Sequence, residues 1–187
     1  MKITAKLLSD RRFRTGEIRA SYAYVFEPYK SDEAAEAKYS MSVIIPKDDK
    51  ETIAVINQAI EAAKKQGIEK FGKSWAAKCR MPLHDGDTDK PEDDAYADSF
   101  FINSNNRKKP KIYDEQGIPT DDSTVVYSGC YGSVMIEFYP YQKKTNQGIS
   151  ASLLGFMKTD DGEPLGGSSI DVAAGFGIEN GDDDFLS

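Results

Sequence analysis

The sequence predicts a mainly β domain with a helical insertion, closed or partly closed into a small antiparallel barrel. Three observations carry that expectation. Apolar and polar residues alternate with period two in several runs, the period becomes helical only between Asp49 and Lys78, and strand-like runs resume after it. A two-sheet sandwich has the same periodicity and stands as the alternative. There is no internal repeat of fixed length.

The elements follow in order. Met1–Lys6 reads as the start of a strand. From Ile18 the even positions are Ile18, Ala20, Tyr22, Tyr24 and Phe26, which predicts a strand with one aromatic face. Tyr39, Met41, Val43 and Ile45 alternate with Ser40, Ser42 and Ile44 until Pro46 ends the run. Ile53, Ile56, Ile60 and Ala63 then recur at helical spacing, with acids leading, Lys64 and Lys65 closing and Gly67 at the expected stop. A second helix is expected over Ile68–Lys78, with Phe71 and Trp75 one turn apart and Trp75 in the core. Asp85–Asp98 reads as an acidic loop whose one base is Lys90. Strands are expected at Ser99–Asn103, around Lys111–Tyr113, over Tyr127–Tyr141 with a bulge or bend at Gly129 and Gly132, and at Ile149–Lys158 after a Lys143–Gly148 hairpin.

With 187 residues and 39% hydrophobic content, the chain can bury one sizeable core. The expected organisation is one domain over 1–158 and a glycine-rich acidic segment over 159–187. No apolar run is long enough to span a bilayer, and the N-terminus lacks an apolar signal core. Cys79 and Cys130 have no CxxC or Cys/His partner, so two reduced thiols in an intracellular protein are expected, with no cofactor.

The formal charge of −7 is unevenly distributed. No lysine or arginine follows Lys158, while eight acids do, which leaves twenty-three acids against twenty-four bases before it. The acidic pI therefore does not argue against a nucleic-acid partner. The segment ends in Gly181-Asp182-Asp183-Asp184-Phe185-Leu186-Ser187. An acidic frame around an apolar tip suits a docking peptide, so Asp182, Asp183, Asp184 and Phe185 are the candidate partner-binding residues.

Within the body, cations and aromatics interleave at Arg11-Arg12-Phe13-Arg14, Arg107-Lys108-Lys109-Pro110-Lys111-Ile112-Tyr113 and Tyr139-Pro140-Tyr141-Gln142-Lys143-Lys144. Single-stranded nucleic acid is held by such pairings, with cations following phosphates and bases stacking on rings. The candidate phosphate contacts are Arg11, Arg12, Arg14, Arg107, Lys108, Lys109, Lys111, Lys143 and Lys144. The candidate stacking rings are Tyr22, Tyr24, Tyr39, Tyr113 and Tyr139. Periodicity leaves open which of these rings are core.

Enzyme signatures are sparse. His84 is the only histidine, and no nucleophile turn, Walker loop or dinucleotide fingerprint is present. The string His84-Asp85-Gly86-Asp87-Thr88-Asp89 matches the first positions of a calcium loop, but Lys90 and Tyr96 stand where such a loop needs Gly and Glu. A metal-dependent nuclease or resolvase built on the 85–94 carboxylates is the first alternative function. A β-rich structural or assembly protein, with its aromatics in core and interface, is the second.

The segments Tyr127-Ser128-Gly129-Cys130-Tyr131-Gly132, Phe138-Tyr139-Pro140-Tyr141, Gly148-Ile149-Ser150 and Asp161-Gly162-Glu163-Pro164-Leu165-Gly166-Gly167 give the chain its resemblance to a family of bacteriophage single-stranded-DNA-binding proteins. The acidic end tipped with Phe is similar to the tails of other replicative single-strand binders. The resemblance covers nearly the whole chain. It implies an oligonucleotide-binding (OB) barrel with helical elaboration, sequence-tolerant single-strand binding, and a role in phage replication or recombination. A polymerase, primase or helicase would then read the tail, in the cytoplasm of the infected bacterium. Exposed barrel edges are compatible with a homodimer.

Overall fold

A computed structural model of the protein describes residues 2–30, 36–165 and 176–177. Five strands form the barrel: β3 (Ile18–Tyr29), β4 (Lys38–Pro46), β6 (Ser99–Asn106), β8 (Tyr131–Lys143) and β9 (Asn146–Asp160). Their pairing runs β3–β4–β6–β9–β8 and returns to β3, with every pair antiparallel except β6–β9. Such a five-stranded closed circuit is the OB barrel that the resemblance implied, with one parallel pair among its antiparallel ones. Closure is uneven. β6 and β9 meet through one bridge, Asn105 to Ser152, reinforced by Asn106 Nδ2 donating to Ser152 Oγ (3.3 Å) and Leu153 O (3.1 Å). Away from that bridge the free edges are taken by β5 (Leu83–Asp85) on β6 and β7 (Lys111–Tyr113) on β9. Outside β8 lie β2 (Arg12–Arg14) and then β1 (Lys6–Leu7).

Alternation along the strands sends Met41, Val43, Ile45, Ile102, Val134, Ile136 and Leu153 into one core. α1 (Lys50–Phe71) is capped by Asp49, whose carboxylate accepts from the Thr52 N–H at 3.1 Å, and it adds Ile56, Ala59, Ile60 and Ala63 to that core. The helix does not stop at Gly67. It runs to Phe71 and ends at Gly72, whose φ of 91° favours glycine. Gly67 answers a packing demand instead: a Cβ there would stand 2.2 Å from the Trp75 ring. Trp75 lies on α2 (Lys73–Ala77), is buried as expected, and donates from Nε1 to Tyr141 O at 2.9 Å.

Two further expectations are corrected. The strand expected from Tyr127 begins at Tyr131, because Gly129 takes a φ of 111° in the preceding turn and Leu165 N–H donates to Ser128 O there. The β8–β9 hairpin is tighter than the residues suggested, with Lys143 paired to Asn146 across Lys144 and Thr145. β9 also continues past Lys158 to Asp160, and residues 161–165 return along the Tyr127–Cys130 turn. Asp182, Asp183, Asp184 and Phe185, with most of the 159–187 segment, lie outside the described residues.

Candidate nucleic-acid interface

The surface of β3 is shaped by two shifts of register against β4, the first between Ser21 and Tyr24 and the second between Tyr24 and Tyr29. Ser21 pairs with Ser42 and Tyr24 with Ser40, so β3 advances three residues while β4 advances two, as in a β-bulge. Tyr22 sits in it with a φ of 46°, uncommon for a residue other than glycine. The extra residue exchanges the two faces of the strand. Ile18 and Ala20 point into the core before it, and Val25 does so after it. Tyr22 and Tyr24 therefore face outward, at 52% and 38% exposure. The single aromatic face expected from Ile18 to Phe26 is thus two faces joined at the bulge. Tyr29 completes the outer cluster, 48% exposed, with its ring stacked on Tyr24 at 4.5 Å. Beside these rings, Ser40 and Asn105 continue the Tyr24 row across β4 and β6, at about 4.8 Å per strand.

Cations flank this face at the Asn106 end of β6. Arg107 reaches Glu36 at 2.8 Å and Lys109 reaches Asp121 at 2.9 Å, while the Lys109 ammonium lies 6.0 Å from the Phe26 ring. Both pairs are exposed, and exposed pairs are worth only about 0–1 kcal/mol, so a phosphate can displace the acid. Lys108 is exposed, and its backbone N–H donates to Asn106 Oδ1 (3.0 Å) to close the turn. Lys38 is cross-strand to Tyr29.

The acidic stretch forms the other flank and is more ordered than a solvated loop. After β5 come α3 (Gly86–Asp89) and a 3-10 turn at Asp94–Tyr96. Tyr96 is buried against Ile44 and Phe101 on the outer face of β4 and β6, and its hydroxyl donates to Ser42 Oγ at 2.9 Å. Lys47 fastens the start of the stretch, reaching Asp85 at 2.9 Å and Asp87 at 2.8 Å. The hydrogen bond from Lys47 holds both carboxyls below the ordinary aspartate value, and Asp87 in turn raises the Lys47 ammonium. Two of the three aspartates in the calcium-like string are therefore bound to a lysine. Among the described residues no three His, Cys, Asp or Glu side chains converge on a metal position. From the same stretch Lys90 returns to the aromatic surface, 5.0 Å from the Tyr22 ring and 4.6 Å from Tyr96.

The remaining candidates are elsewhere. Arg11 donates to Phe138 O at 2.7 Å and Arg12 pairs with Glu137 at 2.9 Å where β2 meets β8, and Arg14 donates to Thr4 O, ahead of β1, at 2.9 Å. Tyr113 shares a groove with Arg14, Met135 and Met157 across β8 and β9. Tyr139, 40% exposed, stands further along β8. Lys111 opens β7 opposite Gly155. Tyr39 follows the inward register of Met41 and is half-buried at the barrel end. Lys143 and Lys144 tip the hairpin: since Asn105 lies beside Ser152 in parallel register, that hairpin is toward the Ser99 end of β6, away from Arg107. The structure thus brings together Tyr22, Tyr24 and the Arg107–Lys109 turn, and separates them from Arg11, Arg12, Arg14, Tyr113, Tyr139, Lys143 and Lys144. Tyr29 and Lys90 were missed in the sequence. Lys90 had a signal, as the single base in an acidic run; Tyr29, after Pro28 and beyond the regular alternation, had none.

A family model described as "Enterobacter phage Enc34, ssDNA-binding protein" matches residues 11–186. A curated relative, protein p50 of Acyrthosiphon pisum secondary endosymbiont phage 1, is 29% identical over 166 residues, covering 85% of this chain and 89% of its own. The fold is similar to that of the single-stranded DNA-binding protein from bacteriophage Enc34 in complex with ssDNA, with TM-score 0.74 and 24% identity over 88% of this chain and 98% of that one. It is also similar to gp2.5, a single-stranded DNA-binding protein encoded by bacteriophage T7, with TM-score 0.63 and 14% identity over 95% and 97% of the two chains. Since the matched span runs nearly from end to end, the chain belongs to the family of phage single-stranded-DNA-binding proteins described from Enc34.

Proposed function

We propose that this protein coats and protects single-stranded DNA without sequence preference, in phage replication or recombination, in the cytoplasm of the infected bacterium. The observation that carries the reading is the exposed cluster Tyr22, Tyr24 and Tyr29 beside the Arg107–Lys109 turn, on the outer face of β3, β4 and β6. OB barrels hold oligonucleotides on the face built from their second and third strands, here β4 and β6, with help from the loop that joins the first two and the loop that joins the fourth and fifth, here the Lys143–Asn146 hairpin. Family membership and a relative solved with ssDNA support the same partner. Bases would stack on the tyrosines, and the cations would take the phosphates in between.

The acidic segment has its own part in this proposal. Its carboxylates compete with phosphates for the cations in the free protein, and on release Asp182, Asp183, Asp184 and Phe185 recruit a polymerase, primase or helicase. The test is fluorescence anisotropy of a labelled oligo-dT with the full chain and a 1–180 truncation at two salt concentrations. Expected are salt-sensitive binding, with log K falling by about 0.7 per log unit of salt for each phosphate neutralised, and tighter binding after truncation. No binding by either form at low salt would remove the reading. Equal affinities would remove only the competition by the tail.

A further inference from the structure

Beside the tyrosine cluster is a cavity of about 190 Å3, with Tyr22 and Tyr24 on one side, Asp93 on another, and Ser21, Ser128 and Leu165 completing it. It is smaller than the roughly 300–1,000 Å3 of most small-molecule sites and has room for one planar heterocycle. The β3 bulge makes it: the added residue throws Tyr22 outward and leaves a recess between the strand and the Asp93–Ala95 backbone. Resting on the single-strand reading above, we propose that this cavity is a base-reading subsite that receives one unstacked base carrying an exocyclic amine, with cytosine the best fit by size.

The chemistry turns on Asp93. Its Oδ1 is occupied, accepting the Ala95 N–H at 3.2 Å as the cap of the 3-10 turn. Its Oδ2 accepts no hydrogen bond among the described residues. A half-buried carboxylate next to a phosphate path repels the strand unless a donor meets it. On the edge that carries position 4 of the pyrimidine, cytosine presents N4–H2 for such a contact, as adenine does with N6–H2, whereas thymine presents the O4 acceptor there, which the carboxylate rejects, and its N3–H donor lies one ring position further round. The Tyr22 and Tyr24 rings supply faces for the base, and Lys90, 5.0 Å from the Tyr22 ring, supplies a cation for the adjoining phosphate. The remaining positions of the strand meet only ring faces and cations, so one subsite reads and its neighbours do not.

Competition anisotropy tests this with an all-thymine oligonucleotide and otherwise identical ones carrying a single central cytosine or adenine. The strand can slide to place its one cytosine in the cavity, and that oligonucleotide is expected to bind roughly fivefold to tenfold tighter than all-thymine, with adenine intermediate. Asp93→Asn keeps an oxygen for the Ala95 cap and offers N–H donors to O4, so the cytosine-to-thymine ratio should fall and reverse. Loss of a negative charge strengthens every oligonucleotide alike, and the ratio is therefore the quantity to read. Equal affinities in the wild type, or an unchanged ratio in Asp93→Asn, would overturn the subsite and leave the single-strand reading intact. Failure of the wild type to bind any of the three would overturn both.

Discussion

The protein has two basic, aromatic surfaces that are alike in composition and differ in what their charges are tied to. On the β2–β8 side, Arg11 donates to Phe138 O and Arg12 pairs with Glu137, both on β8, while Arg14 donates to Thr4 O in the segment before β1, so the guanidiniums tie the outer strands together and to the barrel. On the β3–β4–β6 side, Arg107 and Lys109 meet only exposed carboxylates, and the neighbouring tyrosines are uncovered. A cation that already satisfies a main-chain acceptor must abandon it to bind phosphate, whereas a solvated ion pair exchanges one anion for another at little cost. Charge density in a sequence is therefore a poor guide to a binding surface until the partners of each charge are known.

The largest expected effect tests the rings. Each stacked base contributes about 1–3 kcal/mol, so Tyr24→Ala combined with Tyr29→Ala should weaken oligo-dT binding roughly 30-fold or more. Tyr113→Ala combined with Tyr139→Ala should change it by less than about threefold, since an exposed ring off the path contributes nothing to stacking. Anisotropy titrations at one salt concentration, with melting curves to show that each variant folds, decide between them. The reverse ranking would exchange the roles of the two surfaces.

The cations give the next effect. Changing Arg107, Lys108 and Lys109 together to alanine should flatten the log K against log salt slope by up to about 2, at about 0.7 per lost phosphate contact. Arg11→Ala should leave that slope alone and lower the melting temperature instead. The lost bond to Phe138 O is worth about 1–2 kcal/mol, which is a shift of about 2–8 °C for a chain of this size. An unaltered melting temperature with a flattened slope for Arg11→Ala would show that the β2 arginines also follow DNA.

Much of this was legible in the sequence, and the lost part has physical causes. Period two revealed the strands because their inner faces are apolar, and the helix appeared because Ile53, Ile56 and Ile60 share one face. Gly67 was misread because a glycine needed for close approach and one needed for a helix stop look alike; only the Trp75 ring above it tells them apart. The bulge at Tyr22 was invisible since an inserted residue changes parity without changing composition, and it decides which tyrosines face solvent. Tyr39 lies on β4, where no bulge interrupts the pairing with β6, and it follows Met41, Val43 and Ile45 inward as plain alternation dictates. The acidic stretch concealed its structure because its anchors, Lys47 and Ser42, come from a distant strand.

The smallest effect concerns the strap that bounds the tyrosine surface. Residues 161–165 lie along the Tyr127–Cys130 turn, and Ser128 and Leu165 form part of the cavity wall. Lys158 holds the strap: buried at 5% exposure, its ammonium reaches Asp161 at 2.6 Å and Glu115 at 3.5 Å. Arg19 adds donations to Gly129 O and Glu163 O. The Lys158 hydrogen bond, followed by that of the Tyr127 hydroxyl, lowers the Asp161 carboxyl below its ordinary value. Burial opposes the charge on Lys158, yet Asp161 and Glu115 outweigh it and the ammonium is raised. A lowered carboxyl stabilises the fold fully above its unfolded value, about 3.9, and loses that contribution as pH falls through the folded value. A raised ammonium contributes fully below its unfolded value, about 10.4, and loses the contribution only as pH rises through the folded one. Asp161→Asn should therefore melt below the wild type at neutral pH, with the gap closing in acid below about pH 4, where Asp161 in the wild type takes up its proton. Asp161 is largely exposed, so the gap is small and needs melting curves at matched ionic strength. A gap that stays constant from neutral pH into acid would mean that the strap is held by the shape of the turn and the Arg19 donations, with the Lys158–Asp161 charge pair contributing nothing.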